Sequence, residues 1–292
     1  MTKIKHDGKW ARAIIALQKE DGTWGGQFHT LSAPLAIKPL TTEQALRRLG
    51  ELGFTANDEP VRKALDYMKV CLGGERKMDN SWEKTHDWGL FTKMMLSAWI
   101  RIFEPKNAVA LEFARRWARV VEAAFSGGGY DNESYTTAYA DEFGKRPNGP
   151  RELDFVSFYQ VSLLRGVLTR KTENLTLGYI LSKPDGIYYI NCGRLDTPPE
   201  TFASKKTSRW LAGLEILAGY ETAREKLRFA ADRLSASADS DGKWDLGPDA
   251  NDGIYFPLSD SWRNAEDRRA DCTERITSLL GALTCKNFFT RD

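Results

Sequence analysis

Two kinds of hydrophobic spacing alternate along this chain. Five segments, Lys9–Lys19, Glu59–Leu72, Ala108–Phe125, Glu173–Leu181 and Thr222–Ala236, show three-and-four spacing, as at Ala11, Ile14, Ile15 and Gln18 or Val61, Leu65, Tyr67, Met68 and Cys71. That period predicts amphipathic helices. Between them lie five more apolar segments, Thr42–Gly53, Trp88–Phe103, Leu153–Leu168, Lys206–Ala218 and Cys272–Cys285, which predict helices of a more buried kind. Start signals agree: Thr41 with Gln44 forms a capping box, and Asp58 stands before Pro60, which suits a first-turn proline. Strand patterns are absent, so β content is expected to be slight.

The alternation has a period. A turn followed by an aromatic recurs as Asp21-Gly22-Thr23-Trp24, Asp79-Asn80-Ser81-Trp82, Gly128-Gly129-Tyr130, Asp185-Gly186-Ile187-Tyr188 and Asp241-Gly242-Lys243-Trp244, at steps of 58, 48, 58 and 56 residues. Each turn joins a helix of the first kind to one of the second. Thr42-Glu43-Gln44-Ala45 overlays Thr273-Glu274-Arg275-Ile276, and Thr207-Ser208-Arg209-Trp210 falls in the same register. Such self-similarity marks a helical-repeat architecture. Ten helices of two types predict an all-α fold, an α/α toroid of about five hairpins in two concentric layers, forming one domain over residues 1–292. An open solenoid is the alternative. The turn aromatics Trp24, Trp82, Tyr130, Tyr188 and Trp244 are expected to wedge between neighbouring repeats. The stretches Gly127–Pro150, Ile190–Ala203 and Leu246–Arg269 read as long loops.

Composition narrows the partners. Charged residues make up 28% of 292 and nearly cancel, at +2, with both signs mixed throughout, which argues against a nucleic-acid footprint. No apolar run reaches the length of a membrane span, and no secretory h-region follows Met1. Four scattered cysteines, Cys71, Cys192, Cys272 and Cys285, suggest reduced thiols, so a cytoplasmic protein is expected.

Ala16-Leu17-Gln18 followed by Asp21-Gly22-Thr23-Trp24-Gly25 resembles the glutamine–tryptophan repeat of squalene and oxidosqualene cyclases, a looser form of which occurs in protein prenyltransferase β-subunits. Asp271-Cys272-Thr273-Glu274 is similar to the acidic-Cys-Thr start of inner helices in those cyclases, one of which supplies their catalytic acid. The resemblance spans nearly the whole chain and implies a single (α/α) barrel whose cavity opens at the N-terminal ends of the inner helices, taking an isoprenoid or similar apolar substrate. The chain departs from the family in having five hairpins rather than about six. It also lacks an Asp-x-Asp-Asp motif on an inner helix, and its Asp271 and Cys272 are adjacent.

The polar residues at the inner-helix starts are therefore the candidate chemistry. They are Thr41, Thr42 and Glu43; His86 and Asp87; Arg151, Glu152 and Asp154; Lys205 and Lys206; and Arg269, Asp271 and Glu274. Asp271 reads as a general acid held protonated, or as the cap of its helix with Glu274. His86 and Asp87 read as a proton carrier and its neighbour, or as capping residues. Asp154 beside Glu152 and Arg151 suits a carbohydrate-active toroid, a lyase or hydrolase, or simply a solvated helix face. Trp88, Phe91, Phe155, Phe158, Tyr159 and Trp210 are the candidate apolar lining, or ordinary core. Lys205, Lys206 and Arg269 are the candidate contacts for an anionic head group. No cofactor is called for: a zinc site from Asp271, Cys272 and His29 or His86, or a magnesium site, finds no support in the spacing. A third class of function, a non-catalytic ring presenting its rim loops to a protein partner, stands beside these two enzymatic readings.

Overall fold

The computed structural model describes residues 5–29, 40–78, 87–148, 154–251 and 257–284. Its elements are α-helical: α1 Lys9–Ile15, α2 Thr42–Glu51, α3 Glu59–Leu72, α4 Trp88–Phe103, α5 Ala108–Ala124, α6 Asn132–Phe143, α7 Phe158–Leu163, α8 Arg170–Ser182, α9 Lys205–Leu217, α10 Ala223–Lys226, α11 Arg228–Ala236 and α12 Ala265–Thr284. Among the described residues there is no strand, only a 3-10 turn at Pro248–Ala250 and two isolated bridges, Ser157 with Tyr188 and Ile187 with Asn191. The protein is all-helical, as the spacing predicts.

The chain divides into two compact units. The first comprises Met1–Trp82, Thr201–Arg209 and Ala238–Ser278; the second comprises Glu83–Glu200, Trp210–Ser237 and Leu279–Asp292. Neither is one continuous stretch of sequence.

In the first unit α2 packs against α1 and α3. Its core holds Ala11 and Ile14 from α1, Leu46 and Leu49 from α2, and Val61, Leu65 and Met68 from α3, the apolar faces that the three-and-four spacing marks. The capping box at Thr41 and Gln44 is present in full. Asp58 does not cap α3; its Oδ2 instead accepts the Thr55 amide at 2.7 Å and hydroxyl at 2.9 Å.

In the second unit α4 packs against α5 and α7, and α5 against α6. Ten of the residues of α4 are buried, as suits its apolar sequence, whereas α5 keeps an exposed charged face. Helix α6 lies in a stretch that reads as loop. It is capped by Asp131, whose carboxylate accepts the Ser134 amide at 2.7 Å, and stops at left-handed Gly144. Arg116 and Arg119 of α5 pin its last turn through Glu142, at 2.6 and 2.9 Å. Helix α7 is shorter than the expected Leu153–Leu168. Val156 and Phe158 are drawn into main-chain pairing with Tyr188, through Tyr188 N to Val156 O at 3.0 Å and Phe158 N to Tyr188 O at 3.1 Å, which keeps the approach to α7 extended.

Four of the five repeat turns close in the same way. Gly22, Gly128, Gly186 and Gly242, each two residues before its aromatic, have φ of 86°, 90°, 68° and 69°. Each donates its amide three residues back, to Lys19, Phe125, Lys183 and Asp239, at 3.0–3.1 Å. Such φ values penalise a Cβ, which accounts for glycine at every copy described. The turn at Asn80 and Trp82 lies outside the described residues. The first and last copies match further: the Trp24 amide donates to Thr42 Oγ1 at 3.0 Å, and the Trp244 amide to Thr273 Oγ1 at 3.1 Å. The fourth copy diverges, because its aromatic, Tyr188, is 53% exposed whereas Trp24 is 1% and Trp244 8% exposed. Tyr188 therefore does not have the wedged position expected of it.

Candidate functional site

The second unit gathers four of the expected lining residues into one tract of touching rings. Trp88 opens α4, and Phe91 follows one turn on with its ring 5.5 Å away. Phe91 meets Tyr159 of α7 edge-on at 5.5 Å, and Tyr159 meets Tyr189 edge-on at 5.6 Å. Tyr189 in turn lies 4.4 Å from Tyr188. A branch runs from Tyr159 to Phe158 at 5.4 Å and on to Trp99 at 5.3 Å. Separations of this order are those of favourable edge and tilted aromatic pairs. Phe91 and Tyr159 are buried, Trp88 and Tyr189 half-buried, and Tyr188 exposed, so the tract is buried at its middle and reaches the surface at Tyr188.

Tyr189 is the residue that the sequence reading missed. Its φ of 73° makes it the one non-glycine with positive φ among the described residues, a backbone strain of the sort that persists only where surroundings impose it. The imposing contacts are the Tyr188 bridge to Val156 and Phe158, and a tight fold-back of the same loop. A Cβ on Gly186 would lie 2.3 Å from the Asn191 carbonyl oxygen, so only glycine fits there.

At the α4 end of this tract Asp87 caps the helix, accepting the Leu90 amide at 2.7 Å, and pairs with Lys145. Burial works to raise its pKa, but Lys145 and the backbone amides outweigh this and hold the carboxyl below its ordinary value. Asp87 is thus a capping anion rather than a proton donor. His86, Arg151 and Glu152 lie outside the described residues.

A second aromatic group forms around Phe155. Its ring is stacked with Tyr179 at 5.7 Å and lies 5.9 Å from Tyr130, while Tyr130 and Tyr179 stack at 4.5 Å. Burial raises the pKa of both tyrosines. Asp154 accepts the Val156 amide at 3.0 Å and pairs with Lys183, whose ammonium sits 5.8 Å from the Tyr179 ring centroid. Burial lowers the Lys183 pKa, and Asp154 more than reverses this. Trp210 serves a different end: buried, it donates Nε1 to the Leu195 carbonyl at 2.8 Å and ties α9 to the loop before it.

The remaining expected site residues belong to the first unit. Asp271 is not the cap of its helix, because α12 begins six residues earlier, at Ala265. Its side chain is 2% exposed, and its Oδ2 accepts the Leu258 amide (2.9 Å), the Ser259 amide (2.9 Å), the Ser259 hydroxyl (2.6 Å) and the Trp262 indole (2.8 Å). Its Oδ1 accepts Lys5 Nζ at 3.1 Å. Burial alone would raise its pKa, but these donors pull it below the ordinary carboxylate value. A carboxyl so placed is ionised and fully engaged, the reverse of what an acid held protonated requires. Arg269 is clamped by Asp239 at 2.5 Å and Asp241 at 2.7 Å, while Lys205 and Lys206 stand exposed at the start of α9.

The first unit also holds a buried ionisable pair that the sequence did not single out: His29 Nδ1 lies 2.8 Å from Glu43 Oε2, with the Glu43 side chain fully buried. The sequence named its members only separately, Glu43 at an inner-helix start and His29 as a possible zinc ligand. An open surface depression of about 310 Å³, lined by Asp21, Lys63, Asp66, Tyr67 and Arg76 among others, contains none of the expected lining residues. Among the described residues no group of three or more His, Cys, Asp or Glu could hold a metal ion. Cys272 is a buried thiol with its pKa pushed up to about 11 by burial, and Cys71, Cys192 and Cys272 form no disulfide among the described residues. No described helix is long and apolar enough to cross a membrane. Comparison with family models, curated proteins and solved structures finds no match for this chain.

Proposed function

We propose that this protein binds an apolar, isoprenoid-like chain along the aromatic tract at the N-terminal ends of α4 and α7, within hairpins closed into a single α/α toroid. The observation that carries the reading is the run of ring contacts Trp88, Phe91, Tyr159, Tyr189 and Tyr188, buried at its middle and reaching the surface at Tyr188. The matching turn geometry at four repeats supports the toroid. Aromatic faces accept hydrocarbon without demanding hydrogen bonds, and they stabilise positive charge on a bound chain through cation–π attraction. Each methylene taken from water contributes about 0.8 kcal/mol, so a fifteen-carbon chain reaches micromolar affinity after ordering costs. No proton-transfer role goes to Asp271 or Asp87 in this reading, since both are held ionised by their donors.

The runner-up is a carbohydrate ligand, favoured by the exposed ring of Tyr188 as a stacking platform. Calorimetric titration with farnesyl diphosphate beside a short acidic oligosaccharide separates the two. Micromolar binding of the isoprenoid, weakened at least tenfold by Trp88→Ala, is expected. Binding of the sugar alone would favour the runner-up. Binding of neither would leave a ring that presents its loops to a protein partner.

A further inference from the structure

Two arginines meet at the other end of α4 from the tract, and neither is ion-paired with a described acid. Arg101, in the last turn of α4, is a buried residue. Its guanidinium donates to the Leu163 carbonyl at the end of α7 and, at 2.7 Å, to the Arg165 carbonyl. These are main-chain acceptors at a helix C-terminus, where a cation is favoured. They satisfy its hydrogen bonds and leave its charge uncompensated. No described carboxylate forms an ion pair with Arg101, and burial brings its pKa down to about 10.

Arg165 follows directly. Its Nη2, Nε and Cζ all lie within 1.6–1.8 Å of the point that a Cβ on Gly219 would occupy, so the guanidinium lies flat on that glycine. It is an exposed residue, and none of its side-chain donors is hydrogen-bonded or ion-paired to a described residue. The fully buried Tyr220 next in sequence is already committed, its hydroxyl donating to the Val161 carbonyl at 2.5 Å. Glu173, the nearby acid, is buried and occupied by the Thr222 amide at 2.7 Å and hydroxyl at 2.9 Å. Arg115 of α5 adds positive charge within range of Arg101, its own contact to Glu112 being a loose 3.9 Å.

An arginine laid flat on a glycine, with its donor edge unused and a second, uncompensated guanidinium behind it, is arranged to receive a planar or tetrahedral oxyanion. We infer that Arg165, seated on Gly219 and backed by Arg101, forms an oxyanion-binding site for a phosphate group. The site is independent of the aromatic tract and rests on none of its residues.

Inorganic phosphate is the probe, titrated by calorimetry into the full chain at constant ionic strength, with chloride and acetate as controls. Saturable binding of phosphate is expected, weakened tenfold or more by Arg165→Gln. Gly219→Ala tests the same site without removing a charge, because the new methyl must displace the guanidinium. It is expected to weaken phosphate several-fold while circular dichroism stays unchanged. Phosphate affinity that survives both substitutions, or the absence of saturable binding to the unaltered protein, would overturn the inference.

Discussion

Replacing Asp271 by Asn changes one oxygen to an NH2 group and leaves the volume intact. In the structure that carboxylate gathers five donors, four on Oδ2 and Lys5 on Oδ1. An amide oxygen can retain part of the Oδ2 set, but its NH2 then faces the Lys5 ammonium, donor against donor. Hydrogen bonds to a charged group are worth about 1.5–3 kcal/mol, and orphaning one buried donor costs about 1–3 kcal/mol. Asn is therefore expected to cost about 2–3 kcal/mol. Ala, which strands the Leu258 and Ser259 amides and the Trp262 indole together, is expected to cost about 3–5 kcal/mol. A simple helix cap gives a different answer, since Asn caps as well as Asp and would cost a few tenths of a kcal/mol at most. Urea unfolding followed by tryptophan fluorescence measures the difference. The pH dependence has a defined sign. The folded pKa of Asp271 is depressed, so its contribution is fully present above the ordinary value of 3.8 and is lost as pH falls through the lower folded value. The gap between wild type and Asn should therefore be flat near neutrality and close in acid. An Asn variant within about 0.5 kcal/mol of wild type at neutral pH, the ordinary range for an uninvolved site, would show that the Asp271 carboxylate does not hold these donors together.

Other consequences follow from the same geometry. Gly22→Ala should destabilise more than Gly242→Ala in urea unfolding. Both force a Cβ into left-handed backbone, at about 1–2 kcal/mol, but only at Gly22 does that Cβ also strike main chain, 2.4 Å from the Lys63 carbonyl oxygen. Arg101→Met should cost about 2–4 kcal/mol by leaving the carbonyls of Leu163 and Arg165 without their donor, and equal stability would show that water replaces it. A thiol reagent should modify exposed Cys192 in the folded protein and reach buried Cys272, with its pKa near 11, only on unfolding; rapid reaction at Cys272 would contradict its burial.

How far the sequence carried the fold can be seen element by element. Helices α3 and α4 have the bounds that their spacing predicts, because a strong apolar face and a Pro or Asp at the start leave little choice. Helix α6 was illegible by that route, since it buries only Tyr135 and Tyr139 and is held by ion pairs from α5, more than twenty residues away in sequence. Its Asp131 cap and Gly144 stop were the available signals. The early start of α12 was hidden for a related reason: Ala265–Ala270 is mostly polar and its one buried residue is Arg268, so apolar spacing says nothing there. The mark of that start was Asn264, whose Oδ1 accepts the Glu266 amide at 2.9 Å. This shift of register is what turned Asp271 from a helix cap into a buried hub. At the candidate site Trp88, Phe91, Phe158 and Tyr159 were legible as apolar residues of inner helices. Tyr189 was not, because its place depends on the main-chain pairing of Tyr188 with Val156 and Phe158, which no local pattern encodes.

Photoaffinity labelling with a benzophenone-bearing farnesyl analogue, read by peptide mass spectrometry, locates a bound isoprenoid chain residue by residue. Saturable labels are expected on the peptides holding Trp88 and Phe91, Tyr159, and Tyr188 and Tyr189, competed away by unlabelled farnesyl diphosphate and diminished in Trp88→Ala. Labels confined to other peptides, or labelling that farnesyl diphosphate does not compete, would contradict binding along the tract.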